Sequence, residues 1–252
     1  MKKLFLSIPL FIGICLSITV NAQDWYVAAK SGLSIREKAD AKATVLGKIP
    51  YGTKITVTYP EQIVNITTEG IVGAWAKVTY AGKTGYIVNS YLFPSPPPKP
   101  TVKTMKDYLA QLAAPFGVKL IVKSGKIDRP EEGGSELHKQ LYKNGAEWHQ
   151  FVGYEYNSNT YFIPEFTMTQ AFLLLRMIPE FKDVWNEKDE FPTESKTIKK
   201  GDVEYFIKVE KEMPGDYPWV KMIKMEFGMG ATIYFEMYQI DNQLVVFYGS
   251  GV

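Results

Sequence analysis

The 252-residue sequence predicts two domains of different class, a small all-β barrel at 23–94 and an α+β domain at 101–252. Five prolines within 94–100 separate the two halves. The first half holds short β-rich runs without a helical period. The second mixes helical periodicity with strand alternation and ends in four strand-like runs. Each half is long enough to bury a core of its own.

The first 22 residues predict export from the cell. Lys2 and Lys3 form a basic start, residues 4–20 are nearly all apolar, and residues 20–22 (Val-Asn-Ala) form a small-residue cleavage site. We therefore expect 1–22 to be a cleaved signal peptide and the mature protein to be periplasmic, extracellular or at the cell surface. After cleavage no transmembrane span is expected. The alternative is a membrane anchor that stays attached.

Cysteine content and charge exclude several classes of function. Cys15 is the only cysteine and lies in the predicted signal peptide, so the mature chain forms no disulfide and has no cysteine nucleophile. Residues 23–94 carry eight basic and five acidic side chains, and 101–252 carry 18 and 22. A nucleic-acid site needs a concentrated basic stripe to neutralise phosphates. Neither half has one, which excludes nucleic acid as the ligand.

Short runs of β-forming residues, separated by turns rich in glycine, proline and lysine, fill the first half. Strands of this length and spacing predict a small closed barrel. The six runs are Trp25–Ala28, Ser34–Arg36, Val45–Ile49, Lys54–Tyr59, Ala74–Tyr80 and Thr84–Val88.

The proline-rich linker at 95–100 predicts an extended polyproline II segment, because proline neither donates to a sheet nor continues a helix. At about 3.1 Å per residue, 94–100 would span roughly 20 Å as a stiff spacer. The alternative is a docking peptide for a proline-reading partner.

The second half predicts three helices and then strands. Met105, Leu109 and Leu112 stand at i, i+4 and i+7 and predict a helix that ends near 115–117. A second helix is predicted over 135–145 with Ser135 as its N-cap. The third, 167–178, is apolar on nearly all sides and is expected to be buried.

The remaining runs of the second half alternate as strands do. Residues 148–163 predict a hairpin that turns at 157–159. Four further runs joined by short connections predict a C-terminal antiparallel four-strand meander, with the helices on one of its faces. These runs are 203–209, 223–227, 233–237 and 244–248.

Three motifs in the first half resemble the bacterial SH3 (SH3b) family. Leu33–Arg36 resembles its L-N-V-R signature, Gly82–Ile87 its G-x-x-G-W-V signature and Ser90–Leu92 its closing S-Y-L. The resemblance covers about 24–94 and none of the second domain. The sequence departs from the family at Ser34, Ala39 and Tyr86, and by an insertion at about 61–73.

The resemblance implies a role at the cell envelope, since modules of this family often bind peptidoglycan or its peptides and usually tether a second domain. It implies attachment to a cell-wall polymer or an envelope protein. Four rings of the barrel suit this role, because flat aromatic faces stack on glycans and peptides; the alternative for each ring is ordinary packing. Trp75 is out of phase with Val78 and is expected to be partly exposed. The four rings are Tyr26, Trp75, Tyr86 and Tyr91.

A second candidate surface lies in the meander. Tyr234 and Tyr238 flank Glu236 on the strand face opposite Phe235. Such an exposed ladder is typical of a protein or glycan contact surface. The alternative is that a helix or the segment 179–202 covers it.

The residues offer little support for catalysis or metal binding. His138, expected on a helix, and His149, expected on a strand, lack the local spacing of metal ligands, so we expect no metal and no cofactor. No Gly-x-Ser-x-Gly elbow is present. A carboxylate pair of the glycosidase type stays open. The candidates near predicted strands are Glu155, Glu165, Glu226 and Glu236.

The sequence therefore predicts an exported, non-catalytic binding protein. Its barrel would attach to the cell envelope or to peptidoglycan, and its α+β domain would present an interaction surface. The two alternatives are a cell-wall hydrolase that uses a carboxylate pair in 101–252, and a protein that binds or inhibits other proteins through both domains.

Overall fold

The computed structural model describes residues 24–127, 133–213 and 219–252. The predicted signal peptide, 1–22, lies outside the described residues. Each half of the chain forms one antiparallel sheet. Within the described ranges, no helix is both long and apolar enough to cross a membrane.

The first half is an eight-stranded barrel, which confirms the predicted all-β fold. Its strands run in the order β3-β2-β7-β6-β4-β1-β8, and β5 pairs with β6 outside this path. They are β1 (Asp24–Val27), β2 (Leu33–Arg36), β3 (Val45–Ile49), β4 (Lys54–Thr58), β5 (Asn65–Thr68), β6 (Ile71–Tyr80), β7 (Lys83–Val88) and β8 (Leu92–Phe93).

Alternation along each strand fills the barrel. In β2, Leu33 and Ile35 are buried while Ser34 and Arg36 face outward. Gly85 in β7 is needed where strands approach, because a Cβ there would lie 2.4 Å from the backbone oxygen of Arg36. The motif residues thus fill the barrel interior and let β2 and β7 approach each other.

The insertion predicted at about 61–73 forms a hairpin from β5 and the start of β6. Its two-residue turn, Glu69-Gly70, has positive φ at both positions (54° and 75°), the geometry of a type I′ turn. At Gly70 a Cβ would lie 2.8 Å from the backbone oxygen of Phe191. The hairpin therefore reaches the second half, and only glycine fits at its tip.

The second half is a nine-stranded antiparallel sheet with two helices, in the order β13-β14-β15-β16-β17-β12-β11-β10-β9. The predicted meander is confirmed, since the four C-terminal strands, β14 to β17, lie side by side in this sheet. The elements are α1 (Met105–Leu112), β9 (Pro115–Ser124), β10 (Ser135–Tyr142), β11 (Glu147–Gly153), β12 (Tyr156–Pro164), α2 (Met168–Leu175), β13 (Lys196–Lys200), β14 (Val203–Glu212), β15 (Trp219–Phe227), β16 (Thr232–Ile240) and β17 (Gln243–Gly251).

Two of the three predicted helices are confirmed. Thr104 caps α1 and Thr167 caps α2, each in a reciprocal capping box with the residue three positions later. Six residues of α2 are buried, as its apolar sequence predicts. A 3-10 turn that starts at Pro179 follows soon after α2.

The helix predicted over 135–145 was wrong, because these residues form β10, which pairs with β9 and β11. Leu137 and Leu141 are four residues apart, a spacing that a helix and a strand both place on one face. Leu137 is 44% exposed, whereas Gln140 and Tyr142 are buried. Pairing with distant strands, not the local period, decided the conformation.

The hairpin predicted over 148–163 is present, but its predicted turn at 157–159 was wrong. The chain turns between Gly153 and Tyr156, and residues 157–159 continue β12. They pair with the glycine-containing end of β17. That long-range pairing extends the strand through a polar sequence that would otherwise favour a turn.

The two halves share an apolar core. Three barrel residues, Ala28, Ile71 and Phe93, belong to the core of the second half. Phe93 packs edge-to-face against Phe166 with ring centroids 5.3 Å apart, and Phe166 contacts Tyr108 in the same way at 6.4 Å. A separate apolar cluster fills the barrel itself.

The proline-rich segment lies against both halves. Pro97 and Pro98 are buried. From α1, Tyr108 Oη donates to the oxygen of Pro96 at 3.0 Å, and Gln111 Nε2 donates to that of Pro97 at 3.1 Å. From the barrel, the Tyr51 hydroxyl donates to the Pro98 oxygen at 2.8 Å. Side-chain donors thus satisfy carbonyls that an extended polyproline backbone leaves unpaired.

A half-buried carboxyl, Glu180, joins α1 to the sheet. Its Oε2 accepts from the Met105 backbone N–H at 2.7 Å, and its Oε1 accepts from the Tyr161 hydroxyl at 2.8 Å. Burial raises the pKa of Glu180, an effect that its two hydrogen bonds only partly offset.

This raised pKa predicts a pH-dependent stability difference. The folded state favours the protonated carboxyl of Glu180. Its favourable contribution to the free energy of unfolding is therefore present at low pH and is lost as pH rises through the pKa of the folded state. We expect the unfolding free energy of Glu180→Gln, minus that of the wild type, to increase from pH 4 to pH 7. Urea unfolding at several pH values measures it, with exposed Glu226→Gln as the control. A constant or falling difference would contradict the assignment.

Candidate functional site

A cleft of about 540 Å³ lies where the barrel meets the second half. This volume is within the usual range of small-molecule sites. The loop before β2 forms one wall, the β5–β6 hairpin another, and the end of α2 the third. Both halves of the chain are therefore needed to form it.

An ion pair links the hairpin to the end of α2. The Arg176 guanidinium contacts the Glu69 carboxylate through Nη1 and the backbone oxygen of Glu187 through Nη2. The Tyr91 hydroxyl donates to the other Glu69 oxygen at 3.1 Å. The Arg176 side chain is only 9% exposed and packs on the Phe172 ring. Removing Glu69 would leave this buried charge uncompensated.

The environment also fixes the state of Tyr91. Burial, followed by the negative charge of Glu69, raises the pKa of Tyr91 to about 12. The hydroxyl therefore stays protonated at neutral pH and acts as a hydrogen-bond donor within the cleft.

The rim of the cleft carries both signs of charge. Lys30 forms an exposed ion pair with Glu187, and the Arg36 guanidinium donates to the backbone oxygen of Ala43 at 2.7 Å. Exposed pairs of this kind contribute little to stability and exchange partners readily. They are suited to meet the charged ends of a small ligand.

Trp75 lies in the lining of the cleft, but the expectation that it is partly exposed was wrong, since it is 3% exposed. It belongs to neither apolar core. Its backbone N–H donates to the Val64 oxygen at 3.0 Å, and Ile66 and Val88 line the cleft beside it. The insertion thus runs alongside a ring that β6 directs away from the barrel interior.

The other two barrel rings lie elsewhere. Tyr26 is half-buried in β1, opposite Lys54. Tyr86 is half-buried in β7, opposite Lys77 and Arg36 in neighbouring strands. Neither lines the cleft, so the structure brings together Trp75 and Tyr91 of the four predicted rings.

Tyr234 and Tyr238 lie on the sheet face opposite Phe235, which packs in the core. Both are half-buried and flank Glu236, whose carboxylate accepts from Lys224 Nζ at 3.0 Å. Burial, then the charge of Glu236, raises the pKa of Tyr238. This pair of rings lies outside the cleft.

The histidines and the candidate carboxylates stay dispersed. His138 lies on a strand and not on the predicted helix; its Nε2 is 2.9 Å from Glu136, and His149 is 2.9 Å from Glu147. Across the ranges that the structure describes, no group of three or more His, Cys, Asp or Glu residues is close enough to hold a metal.

The four candidate carboxylates do not converge on a cleft either. Glu155 and Glu165 flank opposite ends of β12. Glu226 faces Tyr234 on neighbouring strands, diagonal to Glu236 on an open sheet face.

Sequence reasoning missed Glu69 and Arg176. Glu69 precedes a glycine within the insertion, a pattern typical of a hairpin turn. Arg176 is the only charged residue in the apolar stretch 166–179, which was the available signal of a buried ion pair. Their pairing across the chain could not be read from either segment alone.

Residues 31–93 match the family model for the bacterial SH3 domain. The match covers β2 to β8 and includes the inserted hairpin, so the first domain is a bacterial SH3 domain. Neither the curated proteins nor the solved structures that were searched gave a significant match.

The Glu69–Arg176 pair predicts a measurable coupling between the halves. We expect Glu69→Gln to destabilise the protein by about 2 kcal/mol. Breaking a fully buried ion pair typically costs about 3–5 kcal/mol. The cost here is expected to be smaller because the Glu69 side chain is 38% exposed. A double-mutant cycle with Arg176→Met should give about 1 kcal/mol of coupling or more. The control cycle, on the exposed Lys30–Glu187 pair, should give less than about 0.5 kcal/mol. Equal couplings would show that the buried pair has no special role.

Proposed function

We propose that this is an exported, non-catalytic protein that binds a cell-wall polymer through the cleft between its bacterial SH3 domain and its second domain. The observation that carries the proposal is the composition of the cleft. Trp75 and Tyr91, two rings that the family resemblance singles out, lie in one cavity with the Glu69–Arg176 pair.

The chemistry of the cleft fits a short peptide branch of such a polymer. Peptide branches carry amide groups along their length and both signs of charge at their ends. The cleft has an apolar floor at Trp75 and Val88 and charges of both signs at Lys30 and Glu187. The presence of a bacterial SH3 domain supports this proposal, because such domains in general bind cell-wall polymers outside the cytoplasm. Export of this chain is proposed from residues 1–22.

A binding role is proposed in preference to hydrolysis because of where the carboxylates lie. A glycosidase places two carboxyl groups on either side of one bond. Glu155 and Glu165 are at opposite ends of β12, and Glu236 is paired with Lys224. These positions favour a contact surface over an acid–base pair.

Sedimentation with purified, insoluble cell wall tests the proposal on the mature chain. We expect the wild type to sediment with the wall and to release no soluble wall fragments. Ser31→Trp, which adds a bulky ring to an exposed position in the cleft lining, should weaken binding about tenfold, or about 1.4 kcal/mol. Thr101→Trp is the matched control at an exposed site outside the cleft.

Three results would count against this proposal. Wild-type protein that stays in the supernatant would contradict wall attachment. Equal sedimentation of Ser31→Trp and Thr101→Trp would contradict binding through the cleft. Release of wall fragments would establish the hydrolase alternative.

A second candidate function, binding of a partner protein, is favoured by the edge strand β9. All ten of its residues are exposed, and among the described residues it pairs only with β10. Val118 is 94% exposed and Leu120 55%. The opposite edge, β13, has five residues, three of them lysine. Natural sheets protect edges with short, lysine-rich strands, so the long apolar edge is the one open to pairing.

The charges of β9 indicate what kind of strand would pair with it. Lys119 and Lys123 are its only charged residues. Lys123 Nζ is paired with Glu136 at 2.6 Å, so Lys119 is the lysine whose charge two copies paired edge to edge would bring against its like. We propose that the occupant is an extended segment of another protein in which apolar and acidic residues alternate.

A labelled peptide of alternating valine and glutamate tests this surface by fluorescence polarisation. We expect it to bind at least about tenfold more tightly than the valine–lysine counterpart. Lys119→Glu should remove this preference, and Lys196→Glu, on the protected edge, should not. Equal binding of both peptides would contradict the proposal. So would a dimer of this protein, detected by light scattering, in which β9 is already paired.

A further inference from the structure

A second groove, of about 380 Å³, lies between the barrel and the start of α2. It shares no lining residue with the first cleft. The β5–β6 hairpin contributes to both: Asn65 and Val72 line the groove, whereas Ile66 and Glu69 line the cleft. The two cavities are therefore neighbours with the hairpin between them.

None of the described residues that line the groove carries a charged side chain, in contrast to the cleft. An ionised ligand would lose its hydration there without gaining a counter-charge, which is costly. A phosphate or a carboxylate normally meets arginine or lysine in its site. The groove is therefore suited to an uncharged ligand.

The polar groups of the groove are amides and hydroxyls held in place by other bonds. Asn89 Oδ1 accepts from the Ala74 N–H at 2.7 Å, and Asn89 Nδ2 donates to the Tyr59 hydroxyl at 3.1 Å. Gln170 donates to the Leu92 oxygen at 2.8 Å. Groups fixed in this way lose little entropy when a ligand binds.

Ser90 supplies an unused polar atom. The residue is 9% exposed, and its Oγ has no hydrogen-bond partner among the described residues. A buried hydroxyl without a partner costs free energy that a ligand or a small shift toward one can recover. Beside it, a Cβ on Gly73 would lie 2.0 Å from the Ser90 Oγ and 2.8 Å from the Asn89 Oδ1, so glycine is needed there for these two polar side chains to pack against β6.

Two aromatic rings line the same groove. Trp25 is half-buried and Tyr59 is 47% exposed. Their apolar faces suit the flat C–H face of a sugar ring, while neighbouring amides and hydroxyls match sugar hydroxyl and acetamido groups in both donor and acceptor capacity. An uncharged sugar with apolar faces therefore fits the uncharged lining and the two rings of the groove.

We propose that this groove binds a neutral N-acetylated amino-sugar chain. The inference rests on the proposed wall attachment in one respect: the chain would be the glycan strand of the polymer whose peptide branch enters the cleft. Neighbouring strands lie about 4.8 Å apart, so a two-stranded hairpin is narrow enough for one branched polymer to reach both cavities.

Calorimetric titration of the mature protein with chitotetraose, four linked N-acetylglucosamine units, tests the proposal. We expect saturable binding that Trp25→Ala weakens at least about tenfold. Because Trp25 also packs on the barrel core, Asn65→Asp provides a second variant: it adds a charge at an exposed position of the groove and should weaken binding similarly. Trp219→Ala, at a tryptophan 43% exposed on the other sheet, is the matched control and should bind as the wild type does.

The fully deacetylated tetramer, which is cationic, should bind at least about tenfold more weakly because the groove offers no counter-charge. Absence of chitotetraose binding, equal binding of the cationic tetramer, or equal binding by Asn65→Asp and Trp219→Ala would overturn the inference. Wall sedimentation that is lost in Ser31→Trp but kept in Asn65→Asp, without chitotetraose binding, leaves the proposed function intact. Chitotetraose binding without wall sedimentation supports the groove and sinks the attachment proposal.

Discussion

The contact between Glu69 and Arg176 fixes the position of the inserted hairpin, and both cavities depend on that position. It holds the tip of the inserted hairpin against the end of α2. At the same tip, the Phe191 backbone N–H donates to the Glu69 backbone oxygen at 2.9 Å, and Gly70 allows the close approach. The hairpin stands between the two cavities, so its docking defines both. An insertion that looks like a departure from the bacterial SH3 pattern is therefore the element that joins this barrel to its neighbour.

The apolar contacts explain why a partly exposed ion pair is sufficient. Ile71, next to the turn of the hairpin, and Phe93, at the end of the barrel, lie in the core of the second half. Burial of such side chains stabilises by about 1.5–3 kcal/mol each, more than the ion pair contributes. The apolar contacts thus supply the strength of the interface, and the charges fix where the hairpin tip lies. The proline-rich segment, bound by Tyr51 and Tyr108, closes the connection from a third side.

The sequence was sufficient for elements that local pattern determines. The barrel strands, α1, α2 and the final meander follow from alternation, capping residues and short connections. It failed at β10, where leucines four residues apart fit both periods, and pairing with β9 and β11 decided the outcome. The burial of Trp75 was missed for a related reason. The alternation of β6 shows that the Trp75 ring points away from the barrel interior, but not that the insertion lies beside the ring. Of the cleft, the sequence predicted two rings; the charged residues come from segments more than 100 positions apart.

We infer that the bacterial SH3 barrel and the second domain fold as one cooperative unit. The cleft, which both line, forms only when they are folded together. Native-state hydrogen exchange, read by mass spectrometry over increasing denaturant, tests it most directly. We expect the slowest amides of β6 in the barrel and β16 in the sheet to exchange with the same free energy and the same denaturant dependence. If the amides of β6 exchange through a separate opening of lower free energy while β16 stays protected, the barrel unfolds on its own and the claim is contradicted.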